Sequence, residues 1–189
     1  MIGYHFTGDR LRDGRPIPPV GEWLEHEGEI VPCVNGLHAS EHPFDAMIYA
    51  SGRMLHKVEI EGDLISHGDP VNKWVGRRRK IIASIDAEPL LRAFARWCAL
   101  RAIDPQAAPS VVREYLETGD DTERCTEWDA WNASWDSAWA VSWDAGRAAA
   151  AGRAVAMNAA WAVEMAAQRK TFLAMVEEAF AAEAAGGEA

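Results

Sequence analysis

The sequence predicts an α+β fold: a small mixed-sheet N-terminal domain followed by an all-helical C-terminal half rich in Ala and Trp. Two observations carry this. Residues 1–86 hold all six histidines and alternate apolar with polar side chains over short stretches bounded by Gly and Pro, the period of half-buried strands. From residue 87 the alternation stops, and apolar residues recur at helical spacing. The expected domains are a small α+β domain over 1–86, a helical hairpin or bundle over 87–185, and a disordered tail over 186–189.

The elements follow in order. "IGYHFTG" reads as a strand with Tyr4 and Phe6 on one side, His5 and Thr7 on the other. "RPIPPVGEW" is a Pro-punctuated loop. "EIVPCV" reads as an edge strand, because Pro32 has no donor for a ladder. "GLHAS" reads as a strand and "HPFDAMIYAS" as a helix, with Phe44, Met47 and Ile48 on one face. "MLHKVEIEGDLI" reads as a strand with Val58 and Ile60 inward, and Lys57, Glu59 and Glu61 outward. "RRRKIIASID" is the last strand, entered through the basic turn "GRRRK", Arg77–Lys80, which reads as a solvated loop or as a site for a phosphate or an acidic partner. "AEPLLRAFARWCALRAI" is a helix with Pro89 in its first turn, where a missing N–H costs little. "SVVREYLETGDD" is a second helix, with Ser110 as N-cap and Gly119 as its stop. An Ala-dominated segment then runs from about Thr122 to Glu183, interrupted by Gly146 and Gly152.

Bulk composition narrows function. The 189 residues carry a formal net charge of −10, which disfavours nucleic acid and anionic membrane surfaces, both of which need Lys and Arg. It suits a partner with a basic surface. Cys33, Cys98 and Cys125 form no C-x-x-C pair, so neither a disulfide framework nor a zinc ribbon is expected. With no apolar signal core and no long apolar run, the expectation is a cytoplasmic protein with no membrane association.

Trp131, Trp135, Trp139 and Trp143 recur at every fourth residue. On an α-helix that step winds slowly, so the rings share one broad face. Asp129, Asp136 and Asp144 sit beside them, and from Glu114 to Asp144 nine acidic residues face one basic residue, Arg124. Such a ladder is either a helical core against small residues or a partner-binding surface. The same helices are candidates for homo-oligomer contacts.

In "GLHAS", His38 and Ser40 point to one side of their strand, as His5 and Thr7 do on the first. If the two strands pair, a polar patch of these four forms, with groups fit to hold ribose or an amide. Cys33, His38 and His42 supply zinc-ligand types, but C-x4-H-x3-H is not a standard spacing. Ser40 lacks a nucleophile elbow.

The Cys33–Ser40 corner "CVNGLHAS", with the helix and "LHKVEIEGDLI" after it, resembles a family of phage and bacterial proteins of unknown function. That family has a C-x-x-G-[LF]-H-[AS] corner and, in some members, Ala/Trp-rich helical tails. The resemblance implies a phage or mobile-element accessory protein. "YHFT" and "GLHASEHPFDAMIYA" also resemble two pieces of the ADP-ribosyltransferase superfamily. That resemblance implies NAD as cofactor, His5 on the nicotinamide ribose, His38 or Ser40 beside the nicotinamide, and a catalytic Glu for which Glu59, Glu61 and Glu88 are candidates. The function expected first is a non-enzymatic accessory protein that binds and blocks a host protein through the acidic, Trp-bearing helices. The alternatives are an NAD-dependent transferase at a His5/His38 cleft and a structural or assembly module.

Overall fold

The computed structural model of the protein describes residues 1–102, 110–119 and 154–186. The architecture is mixed α+β. Seven strands and one short helix come first: β1 (Ile2–Thr7), β2 (Trp23–Glu25), β3 (Leu37–Ala39), α1 (Pro43–Met47), β4 (Met54–Glu61), β5 (Ile65–His67), β6 (Lys73–Gly76) and β7 (Arg78–Asp86). Among the described residues three helices follow: α2 (Glu88–Ala102), α3 (Ser110–Thr118) and α4 (Ala154–Gly186). Among the described residues, no helix is long and apolar enough to cross a membrane.

The chain divides into two units, Met1–Glu88 with Phe172–Ala189, and Pro89–Thr171. The helical half is thus not one piece: the last turns of α4 belong with the strands. The tail beyond Gly186 lies outside the described residues.

In the first unit a four-stranded sheet runs in the order β1-β4-β7-β2, and a three-stranded sheet in the order β3-β6-β5, all neighbours antiparallel. The two sheets join at one bridge, where Tyr4 and Ser40 exchange backbone hydrogen bonds of 2.7 and 2.9 Å. Gly3 permits that junction, since a Cβ there would lie 2.8 Å from the Ser40 carbonyl oxygen. Between the sheets Ala39, Val58, Ile60 and Ile81 form a buried cluster. On the opposite face of the four-stranded sheet Phe6 and Leu55 are paired in register and buried. Nearby, Tyr4 meets Phe180 at 6.5 Å, and Phe44 of α1 meets Phe172 edge-on at 6.2 Å.

Several sequence expectations change. "EIVPCV" is not a strand. The Val31 N–H turns back onto Asn35, at 2.8 Å from its side-chain oxygen, closing a loop with Cys33 at φ +66°. "MLHKVEIEGDLI" breaks at Gly62 and Asp63, both at positive φ, into β4 and the start of β5. Strands β2 and β6 had no clear alternation to announce them. In α1, five residues long, Phe44 is buried but Ile48, just past its end, is 60% exposed, so the expected three-residue stripe does not form. The basic residues Arg78–Lys80 lie within β7 rather than in a turn.

In the second unit Phe94 stacks on Trp97 at 6.0 Å, and the Arg101 guanidinium lies over Trp97. Arg101 also makes a two-pronged pair with Glu164 of α4, at 3.1 and 2.7 Å. Gly119 ends α3 at φ +75°, its N–H donating to the Tyr115 carbonyl.

Candidate functional site

Strand alternation sets up the site. On β4 and β7, Glu59 pairs with Lys80 at 2.7 Å and Glu61 pairs with Arg78, along the solvent side. Arg77 pairs with Asp63 at 3.0 Å. Period 2 then turns Arg79 inward with Ile81. Arg79 is only 5% exposed, and it donates to the His38 carbonyl oxygen at 2.6 Å. No carboxylate pairs with it among the described residues. Burial lowers its pKa to about 10, so it stays cationic at neutral pH.

Around Arg79 stand three imidazoles held neutral. His56, 3% exposed, hydrogen-bonds through Nε2 to the Thr7 hydroxyl at 2.8 Å and through Nδ1 to the Ser84 hydroxyl at 2.7 Å. A register shift at Lys57/Val58 lies next to this chain. Desolvation, with the charge of Arg79 second, pushes His56 down to about 4. His5, opposite His56 in register, is driven well below the usual histidine range, first by burial and then by Arg79, His56 and His38. His38 falls to about 4, again by burial first, then by Lys73, Arg79 and Arg12, against a hydrogen bond to the Gly36 backbone.

His38 also faces the loop side. Its Nε2 accepts the Cys33 backbone N–H at 3.3 Å. The Lys73 ammonium, on a residue 6% exposed, donates to Cys33 Sγ at 3.1 Å and lies 3.8 Å from the centre of the Tyr49 ring. His67 Nε2 stands 3.3 Å from the same sulfur. Cys33, His67 and Tyr49 are exposed, so this side of the corner meets solvent. Gly36 holds the turn before β3 at φ +99°, where a Cβ would lie 2.6 Å from a Val75 methyl.

Of the residues singled out in sequence, His5 and His38 flank Arg79 electrostatically, while Thr7 hydrogen-bonds to His56. Ser40 is buried, with its backbone in the Tyr4 bridge. Glu59 lies on the far face of β4, bound to Lys80, which holds its carboxyl below the usual range. The transferase set of His5, His38, Ser40 and Glu59 is therefore not gathered at one place. The Nδ1 of His42 caps α1 by accepting the Phe44 N–H at 3.1 Å. Among the described residues, no group of three or more His, Cys, Asp or Glu is placed to hold a metal ion. Trp131, Trp135, Trp139 and Trp143, with Asp129, Asp136 and Asp144, lie outside the described residues. Sequence reasoning passed over Lys73, His56 and His67, and took Arg79 only as one residue of the basic turn Arg77–Lys80. Only Arg79 had a legible signal, since an inward Ile81 requires an inward residue two places earlier.

Residues 1–93 match the family model described as a domain of unknown function (DUF7666). No curated protein and no solved structure matches the chain.

Proposed function

We propose that the domain matched by that family model is a binding module for a small anionic ligand, a phosphate- or carboxylate-bearing molecule of nucleotide type, held at the His38 corner. The observation that supports this is a pair of buried cations, Lys73 and Arg79, on either side of His38 with no carboxylate paired to them among the described residues. Buried charge is costly unless it is compensated. Elsewhere in this domain Arg53, Arg77, Arg78 and Lys80 all have acidic partners. An anion at the corner supplies the missing countercharge, and the neutral imidazoles beside the two cations do not offset their charge. NAD, the cofactor implied by the transferase resemblance, is one member of this class.

Thermal unfolding of the full chain with phosphate, ADP, ADP-ribose, NAD and citrate tests this. A ligand present at 100 times its Kd adds about 2.7 kcal/mol of stability. Lys73→Gln is expected to abolish that gain. No gain from any of these anions at millimolar concentration, or an equal gain in the variant, refutes the proposal.

The acidic, Trp-bearing segment supports a second function in the same chain: a phage accessory protein capturing a host protein with a basic surface. Its test is replacement of Trp135 and Trp139 by Ala with capture from host lysate as the readout. Lost capture with an unchanged helical spectrum supports it. Capture that survives both changes removes it.

A further inference from the structure

The sulfur of Cys33 has two neighbours with distinct chemistry. Lys73 Nζ, at 3.1 Å, donates to it, and His67 Nε2, at 3.3 Å, is placed to take the thiol proton. The residue sits at the tip of a loop, exposed, in a left-handed conformation stabilised by the Val31–Asn35 closure. A nucleophile, a proton acceptor and a cation thus meet at one solvent-facing point.

The geometry also selects among the reactions open to a thiol. Acyl transfer needs donors aimed at an oxyanion. The Cys33 backbone N–H, the natural first donor, is already taken by His38. Thiol–disulfide exchange needs no oxyanion hole, only an attacking sulfur, a path along the S–S axis and a leaving thiolate. The cations around this corner, with Lys73 on the sulfur and Arg79 and Arg12 acting on His38, favour a disulfide with negatively charged arms.

We infer that Cys33 is a site of reversible thiolation by small anionic disulfides, with His67 as proton acceptor and Lys73 as the charge that draws the reagent in. The thiol proton passes from Sγ to His67 Nε2. The Cys33 sulfur attacks one sulfur of R–S–S–R, a Cys33–S–S–R bond forms as the original S–S bond breaks, and the leaving thiolate takes the proton as R–SH. The Cys33 sulfur is oxidised and the departing sulfur reduced, with the disulfide as the sole oxidant. Cys98 does not compete, because it is buried and desolvation pushes its thiol up to about 12. The mixed disulfide occupies the sulfur that Lys73 now contacts, which couples the modification to the anion site. The preference for anionic arms rests on the ligand proposal above, whereas the attack itself rests on the contacts at sulfur.

The test exposes the full chain to glutathione disulfide, which is anionic, and to cystamine, which is cationic. Intact mass and peptide mapping locate the adduct. The expected product is an adduct on Cys33, reversed by dithiothreitol, with none on Cys98. Its rate is expected to be about tenfold higher with the anionic reagent at low salt, and the preference to shrink as salt is added. The same chain unfolded in urea is expected to react more slowly at Cys33 and without the charge preference. Lys73→Gln should lose the preference while keeping a native spectrum. Should that variant misfold, the salt dependence of the unmodified sequence carries the same information. Absence of an adduct on Cys33, a rate there no faster than in urea, or equal rates for the two reagents overturns the inference. Failure of the phosphate, ADP, ADP-ribose, NAD and citrate experiments alone does not, because they involve no disulfide.

Discussion

Acid is the sharpest probe of the His56 chain. His56 is buried between two hydroxyls and pushed to about 4, chiefly by desolvation and then by Arg79. Above pH about 6.5 the imidazole is neutral in both folded and unfolded chains, and its contribution does not change with pH. As pH falls below that value the unfolded chain takes up a proton that the folded chain refuses, so stability falls by about 1.4 kcal/mol per pH unit. The loss ends near pH 4, where the folded state also protonates. Over that window the drop is about 3 kcal/mol, a large share of the 5–15 kcal/mol that holds a typical domain together. Urea titrations at half-unit steps from pH 7.5 to 4 measure it. With a slope of about 2 kcal/mol per molar, the midpoint moves by about 1.5 M on account of this residue. His5 and His38 are displaced in the same direction, so the wild-type loss is larger. His56→Gln keeps hydrogen-bonding capacity toward Thr7 and Ser84 without a titrating group, and the difference between the two proteins isolates His56. Parallel pH profiles for wild type and variant, or an NMR titration of His56 near 6.5 in the folded chain, would refute the reasoning.

Other substitutions have defined outcomes. Gly36→Ala places a methyl at φ +99° against Val75 and is expected to lower stability by about 1–3 kcal/mol in urea unfolding, more than an ordinary loop change. Phe172→Ala empties a fully buried position beside Phe44 and is expected to cost about 3–5 kcal/mol, with loss of sheet as well as helix signal by circular dichroism. Arg101→Gln breaks the surface pair with Glu164 and is expected to cost no more than about 1 kcal/mol. Its cost should fall as salt is added, and a larger, salt-independent loss would show that the pair matters beyond its surface charge.

Strands β1, β4 and β7 were legible because apolar and polar residues alternate along much of their length, although the sheet buries Phe6 and Leu55 on one face and Val58, Ile60 and Ile81 on the other. Tyr4 and Phe6 against His5 and Thr7, and Val58 and Ile60 against Lys57 and Glu59, need no tertiary knowledge. Strands β2, β5 and β6 are three or four residues long, too short for a period to declare itself. The histidine corner was visible as a local pattern, with His38 two residues before Ser40. Its chemistry was not, because Lys73 and His67 reach Cys33 across sequence separations of 40 and 34 residues. A sequence window sees charges as runs, and so "GRRRK" read as a solvated turn. Only the pleat separates Arg79 from its neighbours and turns it inward.

The last turns of α4 carry a temporal consequence. Phe172 and Val176, both fully buried, belong to the same unit as strands that leave the ribosome far earlier. At about 5–20 residues per second, the residues after Asp86 take several seconds to emerge. During that interval the sheet face bearing Phe6 and Leu55 lacks its helix. Folding of this unit therefore waits until α4 has been made, and a ribosome stalled upstream of Phe172 carries a nascent chain with an open apolar sheet, the kind of surface that chaperones bind.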